Sequence, residues 1–137
     1  MRVVLDTNVI LSGLFWQGPA HAVLGAAAAG RFETFTSPAL LDELEGVLEV
    51  DFGLSLAETA EVLSLVLSFS GVVEDGGSVP VIPRDPDDAV VIACASRSDA
   101  DLLVTGDRDL LVLREIGGIR ILGVRAFLDH LGRVGRA

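Results

Sequence analysis

The apolar positions of this chain fall into short blocks separated by polar turns, and the blocks alternate between two periods. RVVL at 2–5 has the length and continuity of a buried strand. FETFTS at 32–37, with β-favouring Phe and Thr, is a second strand candidate, and GVVED at 71–75 a third. DLLVTGD at 101–107 reads as a buried strand that ends in a turn, and GIRILG at 118–123 as another. Between them the period changes. AHAVLGAAAA at 20–29 is alanine-rich and helix-favouring, with Gly30 as its stop. Ser37 caps and Pro38 opens ALLDELEGVLEV, where Leu40, Leu41, Leu44, Val47 and Leu48 recur at helical spacing. Ser55 caps LAETAEVLSLVLSFS in the same way, and VRAFLDHLGRV reads as a closing helix. AVVIACAS fits either period. The acids Asp85, Asp87 and Asp88 in front of it and the alanines within it favour a helix. EDGGSVPVIPRDP at 74–86, with two glycines and three prolines, must be mostly loop.

Strands alternating with helices predict an α/β fold with a parallel sheet covered on both faces. A chain of 137 residues is long enough for a sizeable core, and no repeat or linker divides it, so residues 1–137 are expected to form a single domain. No apolar run reaches the roughly 18–20 residues that span a bilayer. The N-terminus lacks the basic, apolar and small-residue sequence of a secretory signal. A single cysteine, Cys94, excludes an internal disulfide framework, and its apolar setting predicts a buried, inert thiol. Together these features predict a cytoplasmic protein with no membrane partner.

Charge changes the picture. The formal charge is −10, from 20 acids and 10 bases, and every base is arginine. Such a surface does not attract a polyanion at long range. It becomes compatible with one only where acids gather around a divalent cation that reverses the local sign.

The acids are placed for such a gathering. Ligands of an open parallel sheet bind beyond the carboxyl ends of its strands, where the strand order reverses. Asp6 follows the first strand directly, and Asp107 follows the DLLVTG strand with Thr105 just before it. If those strands are neighbours, the two carboxylates meet. Asp88 opens the helix that leads into the Asp107 strand, so it returns to the same edge. Glu43 lies in the first turns of the helix after FETFTS, again near that edge. Four carboxylates so placed repel one another and take up protons unless a cation is present. Mg²⁺ or Mn²⁺ suits an all-oxygen ligand set. The chemistry then open to the site is activation of water against a phosphodiester. Each acid also has an ordinary structural reading, as a turn residue, a helix cap or a solvated helix face. Only their conjunction favours a site. Asp42 and Glu45 read as solvated neighbours of Glu43, and His21 and His130 belong to no metal-ligand spacing.

VLDTNVILSG, SPALLDELEGVL, DPDDAVVIACA and LLVTGDRDLL resemble the successive blocks of a PIN domain, in family order and across nearly the entire chain. The nearest likeness is to the bacterial VapC-like group, toxins of type II toxin–antitoxin pairs. The resemblance implies a three-layer α/β/α fold around a central parallel sheet of four to five strands. It implies Mg²⁺- or Mn²⁺-dependent ribonuclease activity on an RNA substrate, a cognate antitoxin as partner, and a homodimer. The family's acidic ligands map to Asp6, Glu43, Asp88 and Asp107, the four already selected by the edge argument. Asn8 and Thr105 match supporting polar residues, and Asp109 an additional acid. The chain departs from the group where Ala89 and Val90 follow Asp88, which leaves Asp85 and Asp87 as alternative sharers of the ligand role. VDFGLS also lacks the basic Arg-Pro pattern of relatives. Arg84 and Arg108, each within a few residues of an expected ligand, are the candidate RNA contacts.

Other classes remain as alternatives: a housekeeping RNA-processing nuclease of the same fold, or a non-catalytic PIN-like binding module. A phosphoryl-transfer enzyme with an aspartyl nucleophile is disfavoured. Asn8 stands where the haloacid-dehalogenase-like type needs a second acid, no lysine exists to steady a phosphoryl group, and no Gly-Lys-Ser/Thr loop is present.

Overall fold

The computed structural model describes residues 1–79 and 85–135. Among these described residues six strands form one sheet: β1 (Arg2–Leu5), β2 (Glu33–Thr36), β3 (Ser70–Val72), β4 (Leu102–Val104), β5 (Glu115–Ile116) and β6 (Ile119–Leu122). Their order is β3-β2-β1-β4-β6-β5, parallel throughout except for the β5–β6 pair. The expected fold class holds, with one difference in the count. The two-residue β5 adds an antiparallel edge strand beyond the four to five expected. It is too short to carry a period in the sequence, and it forms because Gly117 and Gly118, both at positive φ, turn the chain back on β6.

Among the described residues seven helices follow or connect the strands: α1 (Thr7–Phe15), α2 (Pro19–Ala28), α3 (Pro38–Val50), α4 (Leu56–Ser68), α5 (Pro86–Arg97), α6 (Arg108–Leu111) and α7 (Val124–Gly135). The strand residues point alternately to two cores. Val3, Leu5, Leu102 and Val104 join buried side chains of α1, α2, α3, α4 and α7 on one face. Val4 and Leu103 join those of α5 and α6 on the other, with Leu40 of α3. This alternation is the two-residue period of a strand buried on both faces, and it makes the three layers.

The ambiguous AVVIACAS is helical, as its acids and alanines predict. Asp85 caps it through the Asp87 N–H at 3.0 Å, with Pro86 in the first turn. The cap is thus neither Asp87 nor Asp88. Helix α1 was not predicted, because NVILSGLF combines β-branched residues with a glycine. Tertiary packing stabilises it. A Cβ on Gly13 would lie 2.6 Å from the Leu24 side chain and 2.7 Å from the Ala20 carbonyl, so only glycine lets α1 and α2 approach this closely. His21, incidental to any metal, has its Nδ1 2.9 Å from the Gly13 carbonyl across the same contact. Cys94 is buried, and burial pushes its thiol up to about 11, as expected of an inert cysteine. Among the described residues no helix is long and apolar enough to cross a membrane.

The topology decides where a site can form. From β1 the chain moves outward to β2 and β3, and it then crosses back to place β4 on the other side of β1. The strand order therefore reverses between β1 and β4, whose register pairs Leu5 with Val104.

Candidate active site

Asp6 and Thr105 each follow one of those paired residues. The Asp6 N–H donates to the Val104 carbonyl at 2.9 Å, and the ladder ends there. The Asp6 carboxylate caps α1, its Oδ1 accepting from the Thr7 N–H at 2.8 Å. Its Oδ2 accepts from the Thr105 hydroxyl at 2.7 Å. Thr105, with no exposed surface, uses the same oxygen to accept from the Asp107 N–H at 3.0 Å. One buried hydroxyl therefore sets the spacing of the two acids. Asp107 in turn caps α6, its Oδ1 accepting from the Asp109 N–H at 2.9 Å. Asn8, in the first turn of α1, accepts from the Gly106 N–H at 3.2 Å and ties α1 to the β4–α6 turn.

Asp6, Glu43, Asp88 and Asp107 line one cleft of about 200 Å³, together with Thr7, Asn8, Leu11, Val47, Asp85 and Asp87. Of the four expected acids, Asp6 follows β1 as the cap of α1, Glu43 is in α3, Asp88 is in α5 and Asp107 follows β4 as the cap of α6, and all four line the same cleft. Asp85 and Asp87 stand with them. Thr7, which sequence reasoning passed over, hydrogen-bonds the Glu43 side chain, and its place directly after Asp6 was the available signal. Asp42 and Glu45, the neighbours of Glu43, are exposed, as expected of a solvated helix face. Asp109 is on the exposed side of α6 beside the cleft, and Arg108 is exposed next to Asp107. Arg84 lies outside the described residues.

The electrostatics of the cleft follow from crowding. Asp6 is 8% exposed and Asp88 5%. Burial raises the Asp6 carboxyl above its ordinary value, and the Asp107 and Asp87 charges add to this. The Thr105 and Thr7 hydrogen bonds oppose it. Glu43 is pushed up to about 7, first by burial and then by the Asp6 and Asp87 charges. Asp88 is also pushed up to about 7, first by burial, then by a hydrogen bond to Asp107, in which its protonated form is the donor, and by that neighbour's charge. The N-termini of α1, α5 and α6, capped by Asp6, Asp85 and Asp107, place partial positive charge nearby but do not neutralise the set.

The donor set fits a hard divalent cation: it is all oxygen, gathered in one cleft, and no basic side chain among the described residues lines that cleft. Among the described residues, however, no three Asp, Glu, His or Cys side chains converge as a closed ligand cluster. Capping explains part of this, because oxygens of Asp6, Asp85 and Asp107 are turned to backbone N–H groups.

No curated protein matches the sequence of this chain. Solved structures share its fold, among them one from Rickettsia felis and one from Pyrobaculum aerophilum. VapBC2 from Rickettsia felis, a crystal structure with a DNA fragment from its promoter, matches at a TM-score of 0.63 and 15% identity, over 90% of this chain and 98% of that one. PAE2754 from Pyrobaculum aerophilum matches at a TM-score of 0.61 and 22% identity, over 97% of this chain and 90% of that one. The model of the PIN domain family matches residues 2–109, which hold all four cleft acids together with Asn8, Thr105 and Asp109, and the chain belongs to that family.

Proposed function

We propose that this protein is a divalent-metal-dependent endoribonuclease and the toxin of a toxin–antitoxin pair. The observation that carries the reading is the cleft itself: Asp6, Glu43, Asp88 and Asp107, from four separate parts of the chain, share one cleft where burial, and then the neighbouring acids, raise the carboxyl pKa of Asp6, Glu43 and Asp88. Such a set costs stability in the absence of a cation and is explained by one.

Asp6, Glu43, Asp88 and Asp107 would hold Mg²⁺ or Mn²⁺. The ion supplies Lewis acidity toward a phosphodiester and lowers the pKa of water. The chain's own part is positioning. Thr105 and the Thr7 N–H hold both oxygens of Asp6, and Thr105 also holds the Asp107 backbone, so the β1 and β4 acids keep a fixed separation. Glu43 and Asp88, at about pH 7 the half-protonated members, give up protons when a cation enters. Arg108, exposed and next to Asp107 in sequence, would meet the phosphate chain with its guanidinium fork, and Arg84 is proposed for the same role from the sequence alone. Asp85, Asp87 and Asp109 are the further acids that could share ligand duty.

The toxin role draws support from family membership and from the fold shared with the Rickettsia felis VapBC2 assembly. By that analogy the partner is a cognate antitoxin; a second copy of this chain and a place in the cytoplasm are proposed from the family resemblance alone. The deciding experiment is cleavage of RNA with Mg²⁺ or Mn²⁺, comparing wild type with Asp6→Asn. Metal-dependent cleavage lost in Asp6→Asn with its fold intact is the expected result. Metal binding without cleavage would favour the non-catalytic binding module. Cleavage without a growth-arrest phenotype, and with no antitoxin gene beside it, would favour the housekeeping nuclease.

A further inference from the structure

Asn8 is a wall shared by two pockets. On one side is the acidic cleft. On the other is an open pocket of about 290 Å³ lined by Asn8, Val9, Ser12, Ala20, Gly106 and Val124. We propose that this second pocket seats the nucleobase next to the scissile phosphate, with Asn8 and Ser12 as the residues that select it. The inference rests on the nuclease reading of the cleft.

The two pockets differ in chemistry as the two parts of a nucleotide do. Among the described residues no charged side chain lines the second pocket. A phosphate there would lose water without gaining a counter-charge, whereas a base is neutral and has an apolar face. Val9, Ala20 and Val124 supply apolar walls. Asn8 and Ser12 stand one helical turn apart on α1, so they present polar groups on the same face. The Asn8 Oδ1 is committed to the Gly106 N–H at 3.2 Å, which orients the amide and leaves its NH₂ as a donor. That NH₂ and the Ser12 hydroxyl have no hydrogen-bond partner among the described residues. The pocket is open and has a volume of about 290 Å³, room for one heterocycle.

The pocket lies where α1 and α2 meet and where the turn at Gly106 passes Asn8. Beneath it Gly13 admits no side chain, which holds α1 close to α2. A Cβ at Gly106 would make ordinary contact with the Asn8 side chain at 3.6 Å, so Asn8 lies against this turn. Selection by such a site comes from matched hydrogen bonds, because a wrong base leaves Asn8 or Ser12 unpaired.

The test pairs an enzyme variant with a substrate change. Single-stranded RNA oligonucleotides with one cleavage site receive an abasic residue at each position beside the cut in turn. Wild type, Ser12→Leu, which fills the pocket, and Ser12→Ala, which removes only the hydroxyl, are compared by kcat/KM. Ser12 is exposed on a helix, so neither change threatens the fold, and melting curves verify this. For wild type, kcat/KM should fall about tenfold for the abasic residue at one position and less than about twofold elsewhere. Ser12→Leu should lose this sensitivity, and Ser12→Ala should show an intermediate fall. Wild-type cleavage with no sensitive position, or the same sensitivity in wild type and Ser12→Leu, overturns the base pocket and leaves the nuclease reading intact. Absence of any Asp6-dependent cleavage by wild type overturns both.

Discussion

Replacing Glu43 by Gln in the metal-free protein tests whether the cleft acids are held against their charge. The Glu43 carboxyl rises from 4.5 to about 7, first through burial and then through the Asp6 and Asp87 charges. A raised carboxyl pKa means that the folded chain holds its proton more tightly than the unfolded chain does. The stability from this group is fully present below about pH 4.5 and is lost as the pH rises through about 7. A displacement of about 2.5 on the pH scale corresponds to about 3.4 kcal/mol at 1.36 kcal/mol per unit. Glu43 is half-buried, and solvent screening reduces this to about 1–2 kcal/mol. For a chain of this size that is a melting shift of about 3–8 °C. Gln carries no charge and can still accept the Thr7 hydrogen bond. In EDTA at pH 8, Glu43→Gln should therefore melt about 3–8 °C above wild type, and at pH 5 the two should agree within about 2 °C. Circular-dichroism melts at the two pH values measure the difference directly. Equal destabilisation of Glu43→Gln at both pH values would refute the reasoning, as would a wild-type advantage that grows with pH.

Three further outcomes follow from the same geometry. Uptake of Mg²⁺ or Mn²⁺ at pH 7 should release about one proton, because Glu43 and Asp88 both titrate at about 7; calorimetry in buffers of different ionisation enthalpy reads the number, and zero release would remove these acids from the ligand set. Thr105→Val should cost about 1–3 kcal/mol, since it strips a fully buried hydroxyl from both Asp6 Oδ2 and the Asp107 N–H, and it should weaken metal binding; an unchanged melting temperature and metal affinity would show that Thr105 positions nothing. Arg108→Ala should weaken RNA binding across sequences and reduce the salt slope by about one ion, as loss of a phosphate contact does; an unchanged slope would route the RNA elsewhere.

Much of this protein was legible along the chain because its determinants are local. The continuous apolar run RVVL, the Ser37-Pro38 and Ser55 caps, and Gly30 at φ +73 after α2 act within a few residues of themselves. The α/β alternation followed from them, and so did an edge at which acids could meet. Helix α1 and strand β5 were not legible in this way. One depends on Gly13 meeting Leu24 and Ala20 of the next helix, and the other is a two-residue strand whose partner β6 lies directly beyond the Gly117–Gly118 turn, too short to show a period of its own. The roles of the acids divide along the same line. That Asp6 and Asp107 end strands is visible in the sequence. Their adjacency required β4 to return beside β1 in the register Leu5–Val104, which no local period encodes. Only that return gives Thr105 its two hydrogen bonds and sets Asn8 between an acidic cleft and a neutral pocket. The sequence by itself determined which residue types reach the carboxyl edge. The tertiary structure decided which of them are buried together, and so which acids are driven to hold protons, because desolvation and Coulomb repulsion depend on distances that only the packed chain sets.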